Sequence, residues 1–228
     1  MLQPFDNVWI FGSSVCLPFN LENPFDGWPN IIEQQLNTKC INLAQPAADN
    51  FFIYHCFKEN LNKIKNTDLV IIGWSHYSRK SFVLDRSNPD QMSVIERSII
   101  YKTNEHEFIR GINPPSGINT WLTMRPVDRG LRYYDTWFKN YYSEYEQKCH
   151  FQSYLDSVKL NCVSPCLNFY FSKESIQGID TTKLINVGFI TEFIKENNVA
   201  ISSTDAHLNQ LGHELWANYL IKSIDYHI

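Results

Sequence analysis

The sequence predicts an α/β protein: a parallel sheet with helices on both faces, formed by one domain over residues 1–228. Three observations lead there. Short apolar runs at 8–11 and 69–72 each end on a glycine, as strands buried on both faces do. Segments with helical spacing of apolar residues stand between the strand-like runs. The polar clusters follow the strand signals: Ser13 and Ser14 the first, 42–50 the second, 74–79 the third, Asp205 and His207 the last. In open parallel sheets ligands bind outside the carboxyl ends of the strands, so these clusters converge on one rim.

Taken in order, residues 8–11 form the first strand and 17–27 a Pro/Asn-rich loop. A helix over 29–36 has proline in its first turn, where a missing N–H costs nothing. Residues 40–43 are the second strand. Asp49 caps a helix whose apolar face is Ile53, Phe57, Leu61 and Ile64. Residues 69–73 are the clearest buried strand. From Trp74 to Gly130 the pattern loosens: 82–84 and 94–101 read as short strands or irregular structure, 113–117 as loop. Leu131, Tyr134, Phe138, Tyr141 and Tyr145 repeat at helical spacing, and the helix continues through Tyr154, Leu155 and Val158. Residues 162–171 are a strand, with Pro165 marking an edge or a bulge. An amphipathic helix is expected over 187–197 and the last strand over 199–202. A final helix over 210–224 is expected to bury Leu211, Leu215, Leu220, Ile221 and Ile224.

Composition narrows the function classes. Hydrophobic residues make up 43% and aromatics 14%, enough for a packed core. The 20 basic and 24 acidic residues leave a net charge of −4 with no basic cluster, which disfavours nucleic acid and anionic membrane as partners. The first six residues have neither a basic start nor an apolar run, and no stretch reaches the roughly 20 apolar residues that cross a bilayer. A cytoplasmic protein with no membrane partner is therefore expected. Cys16, Cys40, Cys56, Cys149, Cys162 and Cys166 are scattered and are expected as reduced, mostly buried thiols. Cys162 and Cys166 lack the second pair or histidine cluster of a metal site.

The chemistry-bearing residues stand at the two ends of the chain: a serine near the start, an aspartate and a histidine near the finish. A serine hydroxyl becomes a competent nucleophile when a histidine takes its proton and a carboxylate fixes that histidine's tautomer. Gly12-Ser13-Ser14, Asn42-Leu43-Ala44-Gln45-Pro46-Ala47, Gly73-Trp74-Ser75-His76 and Asp205-Ala206-His207-Leu208-Asn209 occur in the order of the four blocks of SGNH (GDSL-type) hydrolases. The chain resembles the divergent phage and bacterial group of that superfamily. The resemblance implies a flavodoxin-like three-layer α/β/α sandwich with a mostly parallel five-stranded sheet. It implies hydrolysis of esters, often acetyl groups on sugars or lipids, with no metal or organic cofactor. It maps the nucleophile onto Ser14, the general base onto His207 and its orienting carboxylate onto Asp205. The oxyanion donors become the Ser14 N–H, the Ala47 N–H and the Ser75 side chain. Residues 80–154 have no counterpart in the blocks and read as an irregular, aromatic-rich insertion with a helical region.

The chain departs from the family pattern in four places. Ser13 replaces an aspartate, Ala47 a glycine and Ser75 an asparagine, and Asp205 precedes the histidine by two residues instead of three. A Ser–His dyad and a triad both stay open. Each residue also has a plain structural reading: Ser14 in a turn, Ser75 as a cap, Asp205 in an Asx-type turn. Asn209 is expected to cap the last helix and His213 to pack against the sheet. His76 and Arg79 are expected in a solvated loop, while Trp74 and Trp121 are minor candidates for substrate contact. The leading expectation is a serine esterase, an O-deacetylase acting on a carbohydrate or small ester; an acyltransferase using the same serine ranks below it. The alternative is a structural, virion or adhesion module with little or no turnover, its aromatic middle segment serving a homo-oligomer or virion assembly.

Overall fold

The computed structural model describes residues 5–18, 21–45, 48–85, 119–124, 140–182, 184–203, 205 and 207–228, with 80–85 and 119–124 described by backbone alone. The strands are β1 (Asn7–Gly12), β2 (Lys39–Asn42), β3 (Leu69–Trp74), β4 (Lys80–Asp85), β5 (Asn119–Met124), β6 (Cys166–Tyr170) and β7 (Ile185–Phe189). The helices are α1 (Trp28–Leu36), α2 (Asn50–Asn60), α3 (Glu144–Asn161), α4 (Ile190–Asn197) and α5 (Gln210–His227). Five strands form one sheet in the order β2-β1-β3-β6-β7, every neighbouring pair parallel. β4 and β5 make a separate antiparallel pair.

Alternation along the central strands sorts the core into two layers. Val8 and Ile10 of β1 and Leu69 and Ile71 of β3 pack with Trp28 and Ile32 of α1, Ile190 and Ile194 of α4, and Trp216, Leu220 and Ile224 of α5. Their neighbours Trp9, Phe11, Val70 and Ile72 face Phe52, Ile53 and Phe57 of α2 and Phe151, Leu155 and Val158 of α3. Both faces are covered, so β1 and β3 read as continuous apolar runs. The expected three-layer α/β/α sandwich is what forms. Among the described residues no helix is long and apolar enough to cross a membrane.

Several expectations are corrected. The fifth strand is β7, not 199–202, and Val187 belongs to it instead of opening a helix. The strand runs into α4 without an intervening turn residue, and Phe189, the residue before the helix, makes no side-chain cap, so the two apolar patterns merge in the sequence. Residues 199–202 contribute one antiparallel bridge, Ala200 to Leu208. Pro165 marks neither an edge nor a bulge. It precedes β6, an interior strand, and its carbonyl accepts the Val70 N–H at 2.9 Å; the register shift falls at Asn168/Phe169. On α5, Leu211 and Leu215 are exposed, and the buried stripe is Gly212, His213, Trp216, Ala217, Leu220 and Ile224. α2 stops before Leu61, which begins a 3₁₀ turn. Tyr141 precedes α3, which starts behind a Ser143 cap, and both Tyr141 and Tyr145 are exposed. Segments 94–101, 113–117 and 131–139 lie outside the described residues.

Candidate active site

β1 delivers its chain to the carboxyl rim at Gly12, paired with Gly73 at the end of β3. The backbone then tightens into a 3₁₀ turn, Ser14–Cys16. This turn sits low because two side chains are missing beneath it. A Cβ on Gly12 would meet Cys16 Sγ, and one on Gly73 would lie 2.7 Å from the same sulfur and against the Phe169 ring. Cys16 fills that notch fully buried, and burial pushes its thiol pKa up, so it stays a packed, protonated group. Two more bonds fix the turn: the Trp28 indole donates to Val15 O at 2.9 Å, and Asn42 Nδ2 donates to Cys16 O at 2.8 Å. Ser14, at 7% exposure, has ordinary extended backbone before it, with Ser13 at φ −105°.

The opposite end of the chain returns to the same place. The stretch from Val199 to Asn209 folds back on itself, with the Ile201 N–H on His207 O at 2.9 Å and the Asn209 N–H on Val199 O at 2.9 Å. Asn209 caps α5, its side chain accepting the Gly212 N–H at 2.8 Å. Gly212 packs closely on this stretch, since a Cβ there would lie 3.0 Å from Val199 Cβ and Leu208 Cδ2. This loop brings His207 Nε2 to 2.9 Å from Ser14 Oγ, across 193 residues of sequence. On the other side of the ring, His207 Nδ1 lies 2.5 Å from Asp205 Oδ1.

Asp205 makes both contacts that the sequence left as alternatives. The oxygen that meets the ring also accepts the His207 backbone N–H at 3.0 Å, an Asx-type turn. That second bond is why a two-residue spacing still aims the carboxylate at the ring. Asp205 is itself held by Ser202, whose Oγ accepts its N–H at 3.0 Å. Burial works against the Asp205 charge, but the hydrogen bonds from the His207 ring and backbone outweigh it and keep the carboxyl below its ordinary pKa.

Ser75 leaves the rim two residues beyond Gly73, as Ser14 does beyond Gly12. Asn50, the first residue of α2, fixes its backbone: Oδ1 accepts the Ser75 N–H at 2.7 Å, and Nδ2 donates to Ser75 O at 3.0 Å. The Ser75 hydroxyl is buried without a partner among the described residues, as is that of Ser13. Ala47 lies outside the described residues. Trp74 is corrected from substrate contact to core: it is fully buried and its indole donates to Asn168 Oδ1 at 2.9 Å. The Trp121 side chain lies outside the described residues. His76 is half-buried, its Nδ1 meeting the Ser78 N–H at 3.1 Å and its hydroxyl at 2.7 Å; Arg79 lies over the Phe171 ring at 5.5 Å. Neither is simply solvated. His213 is buried on α5, as expected.

Sequence reasoning overlooked Trp28, Asn50 and Ser202 as supports of the site. Asn50 carried a readable signal, a polar residue at the buried start of a capped helix; the other two had none. Chemically, the arrangement is a hydroxyl hydrogen-bonded to an imidazole that is oriented by an ionised carboxylate.

No protein-family model matches the sequence, and no curated protein does. Solved structures match in fold. A structure described as belonging to the lipolytic G-D-S-L family, from Desulfitobacterium hafniense, is 10% identical, with a TM-score of 0.52 over 96% of this chain and 99% of that one. The psychrotrophic esterase EstA from Pseudoalteromonas sp. is 8% identical, with a TM-score of 0.54 over 97% of both chains. A two-domain esterase active on acetylated mannans is 12% identical, with a TM-score of 0.50 over 97% of this chain and 48% of that one. The likeness spans nearly the whole chain, and the fold is that of the SGNH (GDSL-type) hydrolases.

Proposed function

We propose that the chain is a serine-dependent carboxylic ester hydrolase acting on O-acetyl groups of a carbohydrate or a similar small ester. Ser14 Oγ attacks the ester carbonyl carbon while His207 Nε2 takes its proton, and Asp205 stabilises the resulting imidazolium. The oxyanion is met by the Ser14 N–H, the Ala47 N–H and the Ser75 hydroxyl. Collapse breaks the bond to the alcohol, which leaves with the proton from His207. Water, deprotonated by His207, then attacks the acyl-serine and releases the acid.

One observation carries this reading: the contact between Ser14 and His207 at 2.9 Å, continued to Asp205 at 2.5 Å, between segments from opposite ends of the chain. The Ser75 hydroxyl, buried without a partner among the described residues, supports the oxyanion assignment, since a buried polar group left unpaired is a cost that a ligand oxygen relieves. The acetyl-carbohydrate preference draws on a neighbour in fold that acts on acetylated mannans. The test is Ser14→Ala. The parent chain is expected to hydrolyse 4-nitrophenyl acetate and to be labelled by a fluorophosphonate; the variant, with unchanged circular dichroism, is expected to do neither. Labelling that persists in the variant overturns the role of Ser14. A folded parent inert to both reagents favours the structural module instead.

A further inference from the structure

α1 begins without a cap of its own. Gly27, in the capping position, has no side chain, Pro29 has no N–H, and the Asn30 and Ile31 N–H groups return to Gly27 O at 2.9 and 3.2 Å. The Trp28 N–H is left over. It donates to Nδ1 of His213 at 3.2 Å, 185 residues away. An N–H only donates, so Nδ1 carries a lone pair and the ring proton sits on Nε2. Nε2 is buried without a partner among the described residues. The same Trp28 grips the Ser14 turn, its indole donating to Val15 O at 2.9 Å, and its ring is fully buried edge-on to Phe169. His213 stands in the first turn of α5, its N–H on Asn209 O at 3.0 Å, and Asn209 ends the loop that carries His207.

We propose that His213 is a positioning residue for the reaction: by capping α1 from across the fold, it sets the distance between the Ser14 turn and the His207 loop. The contacts close a circuit. Ser14 is joined to Val15 by the chain, Val15 to Trp28 and Trp28 to His213 by hydrogen bonds, His213 to His207 through the start of α5, and His207 back to Ser14. Without the His213 acceptor, the first N–H of α1 has no partner among the described residues, and Trp28 can shift with the turn it holds. Burial, with the nearby His207 adding to it, pushes the His213 pKa down to about 4, so the accepting form persists at neutral pH. The inference rests on the ester-hydrolase reading and names a support that the reading itself does not require.

Asparagine places its Oδ1 where histidine places Nδ1, so His213→Asn keeps the acceptor and His213→Leu removes it. With 4-nitrophenyl acetate, His213→Leu is expected to lower kcat and the rate of fluorophosphonate labelling by about tenfold or more, at nearly constant KM. His213→Asn is expected to recover most of that loss. Trp28→Phe keeps the backbone N–H but loses the indole bond to Val15 O, and should reproduce the kcat defect. The double variant His213→Leu/Trp28→Phe should be no worse than the poorer single one, because both cut one link. A folded His213→Leu with parental kcat, an asparagine variant as impaired as the leucine one, or additive losses each overturn the proposal. If the leucine variant does not fold, the asparagine and phenylalanine variants and the ¹⁵N spectrum of the parent decide: a proton on Nδ1 of His213 at neutral pH overturns the link. If the parent neither turns over nor is labelled, the ester reading falls separately, and the His213 ¹⁵N signal judges the contact by itself.

Discussion

Asp205 Oδ1 serves two donors, the ring and the backbone of the same histidine, and that economy has consequences at single residues. Replacing the carboxylate in Asp205→Asn offers the His207 ring an amide that can present its NH₂, favouring the tautomer with its proton on the wrong nitrogen. The expected result is a fall in kcat of up to about 10⁴-fold with KM nearly unchanged, read from steady-state ester hydrolysis. Because the folded pKa of Asp205 lies below the ordinary 3.8, its contribution to stability is complete above that value and is lost as pH falls through the folded pKa. Loss of activity between neutral pH and pH 5 therefore does not come from Asp205. Ser75 makes a cleaner probe. Its backbone is held by Asn50 and its hydroxyl binds nothing described, so Ser75→Ala should leave the urea midpoint in place. It should lower kcat by roughly 10²–10³-fold if the hydroxyl faces the oxyanion. An unchanged kcat would remove Ser75 from the oxyanion site.

At the scale of elements, the strand ends are set by what is absent from them. Gly12 and Gly73 give the space that Cys16 occupies, so Gly12→Ala forces its new methyl into the Cys16 sulfur and should cost about 1–3 kcal/mol in denaturant unfolding. Adding Cys16→Ala empties the notch and should restore part of that loss; if the pair is as unstable as the single variant, the crowding is not with Cys16. At the far end of the sheet, Asp68 joins the entry of β1 to the turn before β3, accepting from Asn7 Nδ2, Trp9 Nε1 and the Lys65 N–H at 3.0, 2.9 and 2.9 Å. Burial would raise its pKa, yet these donors hold it below 3.8. Asp68→Asn turns one of the two oxygens into a donor facing donors, at an expected cost of about 1–3 kcal/mol at neutral pH. The gap between the variant and the parent should close as pH falls through the folded pKa, since the parent then loses its carboxylate too. Equal gaps at neutral and acidic pH would contradict that account. The central strands β1 and β3 were legible because two-sided burial leaves an unbroken apolar run. β7 was not, because at an edge it buries only Val187 well, and its apolar letters run on into α4. On α5 the letters Leu211 and Leu215 advertise the wrong face, while the buried positions are taken by Gly212, His213 and Trp216.

Over the whole molecule, the site is made by the two ends of the chain closing on one rim of the sheet, and this explains what could be read in advance. Ser14 and Ser75 drew attention because short polar turns follow the apolar runs of β1 and β3, and Asp205 and His207 because their spacing resembles the last family block. Trp28 and His213 were not given their present parts, because a bond across 185 residues leaves no local pattern. The geometry of closure also makes a prediction. Ser14 follows β1, an interior strand of the sheet, and His207 comes from the loop before α5, which packs against α1; their contact holds only while α1, α5 and β1 share one apolar layer. Both segments are tied into that layer by hydrogen bonds, Trp28 to Val15 on one side and Asn209 to Val199 on the other. No part of the pair stands on an independently stable unit. Fluorophosphonate labelling of Ser14 should therefore disappear in urea at the same midpoint as the far-UV signal, in one cooperative transition. Labelling lost at clearly lower urea would mean that the 199–209 loop opens before the sheet does, and that the two ends of the chain are held together by less than the core on which they rest.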